Sequence, residues 1–371
     1  MNLIDWRELY TANRAVIEGR PRPERSGGGR AGGAPGAGPG GSGLPLPALA
    51  GGAPALIGRL GAGTAPVETP PADTPGGTWD RMDHGGRPVY VYTPPGLPDD
   101  APVPLVVALH GCTQTASTFA AGSLLDRAAD RHGFVVAYPE QSREHNPQCC
   151  WNWFTAGHQA RGGGEPAFIA GATRALVAGR GQAAIDPARV FVAGMSAGGA
   201  MAAVIAATHP DVYAAVAIHS GLAYGCARNL PSATSAMSRG VGDPDALGRA
   251  ALAAMGPHAR PVPALVVHGT ADGIVAPVNG AHAARQWLVT NAVASGVDAD
   301  AAPTTARERP TPGGRAATRR TWTGPDGRVL AEHVEIDGLG HAWSGGAPGG
   351  SYTDPRGPSA ADEIWRFFAA V

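Results

Sequence analysis

Lysine is missing from the 371-residue sequence, so all 29 basic side chains are arginine. Without an ammonium group the chain cannot carry a Ser–Lys dyad, a Schiff-base lysine or a Walker-type phosphate site. Neither sign of charge is in excess: 29 basic residues face 30 acidic ones, and no basic run exceeds Arg319-Arg320. That balance offers no electrostatic footprint for nucleic acid or an anionic membrane. No apolar run approaches the roughly 18–20 residues that span a bilayer, so no transmembrane segment is expected. Cysteine is scarce: only Cys112, Cys149, Cys150 and Cys226 occur. Their spacing fits no metal site, no H-x-x-x-H pair is present, and neither metal nor cofactor is expected. Residues 1–16 carry Asp5 and Glu8 and lack the apolar stretch and small-residue cleavage site of a secretory signal. A cytoplasmic location with reduced thiols is therefore the expectation.

What is present falls into three parts. Residues 1–20 form a short segment in which Leu3, Trp6, Tyr10, Asn13 and Ile17 recur at helical intervals. That is the pattern of an amphipathic helix or of a weakly docked terminus. Residues 21–77 are dominated by Gly, Pro and Ala. Such a stretch buries too little to offset its ordering entropy and reads as a flexible linker. Residues 78–371 alternate short apolar runs with helical stretches. Strands are expected at 87–92, 105–109, 134–138, 190–193, 214–218, 265–268, 319–322 and 333–336. Helices are expected at 124–132, 167–180, 201–208, 281–288 and 360–370. This alternation predicts an α/β fold of the α/β-hydrolase type, a mainly parallel sheet with helices on both faces.

Gly194-Met195-Ser196-Ala197-Gly198 fits G-x-S-x-G. With 55 glycines in the chain the pattern alone is weak. Its context is specific: an apolar strand runs straight into it and a small-residue helix follows, the strand–turn–helix setting the motif requires. Such a turn exposes the Ser196 hydroxyl above the sheet, and the glycines allow strand and helix to approach. The new helix aims its N-terminal N–H groups at a developing oxyanion.

On this fold the partners should follow in the order Ser, Asp or Glu, His. Asp272 lies just past the run at 265–268 and is the expected acid. Asp337 competes, but it stands only four residues before the expected base, His341, which sits in the glycine-flanked loop Gly340-His341-Ala342. His110, His219 and His268 also stand at strand ends, where backbone hydrogen bonding or pocket lining is expected of them. His110-Gly111-Cys112 follows the run at 105–109, the position that supplies an oxyanion N–H. The backbone N–H groups of Cys112 and Ala197 are the expected donors.

The segments Leu109-His110-Gly111-Cys112-Thr113-Gln114, Tyr138-Pro139-Glu140-Gln141, Cys150-Trp151-Asn152-Trp153-Phe154, Gly194-Met195-Ser196-Ala197-Gly198-Gly199 and Gly340-His341-Ala342-Trp343-Ser344-Gly345-Gly346 together resemble the poly(3-hydroxybutyrate) depolymerase family of esterases. That family is related to the feruloyl and acetylxylan esterases of carbohydrate esterase family one. The resemblance implies a serine esterase using Ser196, Asp272 and His341, with no cofactor. It implies that Trp151 and Trp153 lie near the cleft, and Trp343, beside the base, is a candidate to join them. It further implies a disulfide between Cys112 and Cys150, and an extracellular location as the alternative to the cytoplasm. The expected substrate is a short-chain 3-hydroxyalkanoate ester, oligomeric or polymeric. The alternative is a feruloyl or acetyl ester on plant polysaccharide. A function of another class is docking on a polymer granule through the N-terminal segment.

Overall fold

The computed structural model describes residues 76–181, 183–308 and 313–371. The N-terminal segment and nearly all of the expected linker lie outside these residues. Ten strands of one sheet stand in the order β1-β2-β4-β3-β5-β6-β7-β10-β9-β8. The central strands are β3 (Val103–Leu109), β4 (Val135–Pro139), β5 (Ile185–Met195), β6 (Ala215–His219), β7 (Ala264–Gly269) and β10 (Val329–Ile336). These six pair in parallel. Every residue of β3, β4, β6 and β7 is buried, as expected where helices cover both faces.

The faces follow from side-chain alternation. Leu105, Val107 and Leu109 enter one core, and Val106 and Ala108 enter the other. The first core is covered by α3 (Gly164–Ala175), α4 (Ala197–Thr208), α5 (Leu230–Arg239), α6 (Pro244–Met255) and α7 (Val278–Ser295). The second is covered by α1 (Ala116–Ser123), α2 (Leu125–His132) and α8 (Ala360–Phe368). All twelve residues of α4 are buried, which makes it an interior helix; its small side chains let it lie close to the sheet. In α8 the apolar stripe Ile364, Phe367 and Phe368 faces the sheet, and Phe368 stacks on Phe191 with centroids 4.5 Å apart.

The edges depart from the expected elements. β1 (Thr78–His84), β2 (Arg87–Thr93), β8 (Thr304–Glu308) and β9 (Ala317–Thr323) add antiparallel at the two flanks. Of these, β1 and β8 were not expected: β8 is exposed along its whole length, so its sequence carries no burial pattern. The helix expected at 167–180 starts at Gly164 and leaves α-geometry after Ala175. Helices α1, α5 and α6 are also additional. Each begins at a polar cap: Thr115, Asn229 and Asp243 accept from backbone N–H groups of the first turn. A cavity of about 830 Å³ opens at the amino ends of the parallel strands beside Pro104, Ala214 and Pro263. The candidate residues sit at the opposite, carboxyl ends.

Candidate active site

The carboxyl edge of the parallel sheet assembles the candidate side chains from separate loops. Ser196 joins β5 to α4 with φ +56° and ψ −120°, a left-handed conformation strained for a residue with a Cβ. Glycines make this turn possible. A Cβ on Gly194 would lie 2.4 Å from the Gly198 carbonyl, and one on Gly198 would lie 2.1 Å from the Leu109 oxygen of β3. Helix α4 can thus start directly against two strands.

Ser196 Oγ is 2.9 Å from His341 Nε2, and His341 Nδ1 is 2.8 Å from Asp272 Oδ2. The other carboxylate oxygen, Oδ1, accepts the N–H groups of Ile274 and Val275 at 2.9 Å each. Burial alone would push the Asp272 carboxyl up. The charge of His341 and hydrogen bonds from His268 and His341 outweigh burial and hold it below the ordinary carboxylate range. Asp272 is therefore an ionised acceptor, with His341 Nδ1 as the nearer of two imidazole nitrogens beside it. Asp337 points elsewhere, into an exposed ion pair with Arg307.

The loop after β3 lies against Ser196. A Cβ on Gly111 would stand 3.5 Å from the Ser196 Cβ. Gly111 N–H donates to Gln114 Oε1 at 2.8 Å, and Gln114 Nε2 donates to the Ser351 carbonyl at 3.0 Å. Cys112 lines the same small depression as Ser196, with Gln114, Ile274, His341 and Tyr352. Ala197 is the first residue of α4, so its N–H belongs to the helix-terminal set with no acceptor within the helix. A disulfide joins Cys112 to Cys150, tying this loop to the segment after β4. The reduced state expected of all four thiols therefore does not hold for this pair; Cys149 and Cys226 are free.

The strand-end histidines are structural donors and acceptors. His110 Nε2 accepts the Gln141 N–H at 3.1 Å. His219 Nε2 accepts the Ser344 N–H at 3.2 Å, while its Nδ1 faces Ser220 Oγ at 3.1 Å. Burial drops the His219 pKa to about 3, so its ring is neutral. His268 Nε2 is 3.0 Å from the Val275 carbonyl and 3.4 Å from Asp272 Oδ2.

The tryptophans correct an expectation. Trp151 and Trp153, which the resemblance puts near the cleft, and Trp343, a candidate to join them, are 0%, 4% and 1% exposed, so they offer a substrate almost no surface. Trp343 stacks on His219 at 4.9 Å and donates from Nε1 to the Ser123 carbonyl at 3.0 Å. It anchors the His341 loop from beneath. Trp151 packs between His110 and the guanidinium of Arg87. Arg87 donates to Gln141 Oε1 at 2.6 Å, and Gln141 in turn donates to Glu165 and to the Cys150 carbonyl. This buried network backs the disulfide-tied loop. Sequence reading missed it, and it missed Tyr352 and Ile274 as lining residues. Only Gln114 and Gln141 had a signal, through the motifs that carry them.

Comparison with known proteins bears on the family and the fold. The family described as "Esterase PHB depolymerase" matches residues 89–311, a region that holds Cys112, Ser196 and Asp272; His341 lies beyond it. Poly(3-hydroxyalkanoate) depolymerase C of Paucimonas lemoignei is 36% identical over 259 residues, covering 69% of this chain and 58% of the relative. A probable acetylxylan esterase A of Aspergillus clavatus is 31% identical over 207 residues, covering 54% of this chain and 65% of the relative. The match thus spans less than two thirds of either relative. Among solved structures, the acetyl xylan esterase from Aspergillus awamori superposes with a TM-score of 0.62 at 23% identity, covering 80% of this chain and all of that one. That superposition establishes a shared α/β-hydrolase fold. With the match across residues 89–311, the chain belongs to the esterase PHB depolymerase family.

Proposed function

We propose that this protein hydrolyses carboxylic esters through an acyl-enzyme on Ser196. The observation that carries the reading is the unbroken hydrogen-bond chain Ser196–His341–Asp272, with links of 2.9 and 2.8 Å. His341 Nε2 takes the hydroxyl proton as Ser196 Oγ bonds to the ester carbonyl carbon. Asp272 fixes the imidazole tautomer and stabilises the imidazolium. The N–H groups of Cys112 and Ala197 hold the oxyanion. The carbon–oxygen bond to the alcohol then breaks, and the alcohol leaves with the proton from His341. Water repeats the sequence on the acyl-enzyme. Ser196→Ala should abolish hydrolysis of p-nitrophenyl butyrate; a variant keeping most activity would overturn the assignment.

For substrate, we favour short-chain 3-hydroxyalkanoate esters, oligomeric or polymeric. The depression over Ser196 is small: its 10 Å³ holds about one water molecule. Such a surface suits a small acyl group carried on a chain that lies across the protein. An acetyl group on polysaccharide meets the same requirement and is the second reading. Parallel rates on 3-hydroxybutyrate oligomers, acetylated xylan and methyl ferulate separate the possibilities; the first substrate should be turned over fastest.

The Cys112–Cys150 disulfide supports residence in an oxidising compartment over the cytoplasm. Native protein purified without reductant should contain two reactive thiols after denaturation; four would remove this argument. Docking on polymer granules through residues 1–20 is tested by deleting residues 1–77. Lost granule binding with intact esterase activity is the result expected of a docking segment.

A further inference from the structure

We infer that His268 is a positioning residue for the acid: its Nε2–H holds the Asp272 carboxylate in line with His341. The inference rests on the proposed roles of Ser196, His341 and Asp272. His268 is the penultimate residue of the buried strand β7 and is 1% exposed. Its Nε2 lies 3.0 Å from the Val275 carbonyl and 3.4 Å from Asp272 Oδ2. A carbonyl oxygen only accepts, so Nε2 must carry the proton. That proton is shared between the carbonyl and the carboxylate oxygen that also receives His341. His268 thus gives Asp272 Oδ2 a second contact beside that of the base, while the Ile274 and Val275 N–H groups pin Oδ1.

The ring has no freedom to do otherwise. A Cβ on Gly280 would lie 2.7 Å from the His268 Cβ and 3.0 Å from its Nδ1, so α7 closes directly over it. Nδ1 is buried with no hydrogen-bond partner among the described residues. An unprotonated nitrogen pays less for that isolation than an N–H would, which again selects the Nε2–H tautomer. The charged and titratable neighbours of this cluster are Asp272, His219, His333, His341 and Glu335, which pairs with His268 across β7 and β10. His268 touches both Asp272 and, through the Val275 carbonyl, the loop that carries it.

Amide replacements separate positioning from space filling. In His268→Gln the side-chain N–H₂ reaches the place of Nε2; in His268→Asn it stops near the place of Nδ1. With p-nitrophenyl butyrate, His268→Asn should lose roughly 10- to 100-fold in kcat, the worth of one hydrogen bond to a charged group. KM should stay within about twofold, because the lost interaction acts in the transition state. His268→Gln should recover most of the rate. Equal kcat in the two variants, at equal melting temperature, overturns the inference. Should either variant fail to fold, nitrogen-15 spectra of the unaltered protein decide the matter. They should show His268 as the Nε2–H tautomer, and the Nδ1–H tautomer would overturn the inference. Ser196→Ala assayed alongside keeps the two failures apart: residual activity there refutes the proposed function, not the role of His268.

Discussion

Ser196 carries two properties that pull against each other, a reactive position and a backbone that disfavours any side chain. Its φ of +56° costs about 1–3 kcal/mol for a residue with a Cβ. At an ordinary position Gly is less stable than Ala by ~0.5–1 kcal/mol. Here the order should reverse: Ser196→Gly should unfold at higher urea than Ser196→Ala, and the usual order would show that the turn is unstrained. Asp272→Asn should cut kcat by about 10⁴, because the amide favours the wrong tautomer of His341. At this scale the sequence was legible where chemistry imposes a motif. Ser196, Asp272 and His341 stood in the expected order, and the structure brings them within hydrogen-bond reach. The tryptophans were misread because a large aromatic beside a motif looks the same whether it faces substrate or core. Trp343 faces the core because the loop needs an anchor on His219 and Ser123. Tyr352 left no trace, since its place beside His341 depends on the path of the loop around it.

At the scale of elements, the apolar central strands declared themselves and the polar edges did not. β3, β4, β6 and β7 read as continuous apolar runs because both faces are covered. β8 forms by pairing with β9, a partner no local pattern reveals. The loops after β3 and β4 are joined by the Cys112–Cys150 bridge, which closes a loop of 38 residues. Chain entropy assigns such a loop about 4 kcal/mol at 25 °C. Cys112→Ala with Cys150→Ala should therefore lose about that much stability in urea. Because Cys112 belongs to the oxyanion loop, kcat should fall as well, with KM little changed. Full activity in the double variant would show that the buried Arg87–Gln141–Glu165 network alone holds the loop.

At the scale of the whole molecule, buried histidines set the response to acid. Burial lowers the pKa of His209 to about 4, His219 to about 3 and His333 to about 4, all from an ordinary 6.5. Between those values the unfolded chain binds protons that the fold refuses, so stability falls as pH drops below 6.5. Asp126 works in the opposite direction. Burial raises it from 3.8 to about 7, so it favours the fold as pH falls across that window. Three groups oppose one, and the melting temperature should decline from pH 7 to pH 4; a flat profile would contradict this balance. The same fold gathers residues from loops after β3, β5, β7 and β10 at one edge, and the account stands on what that edge does. The most direct measurement is covalent trapping with a fluorophosphonate, followed by peptide mass spectrometry. One stoichiometric adduct is expected, on Ser196, with esterase activity lost in proportion. Activity that survives complete labelling of Ser196, or an adduct on another serine with Ser196 unmodified, would contradict it.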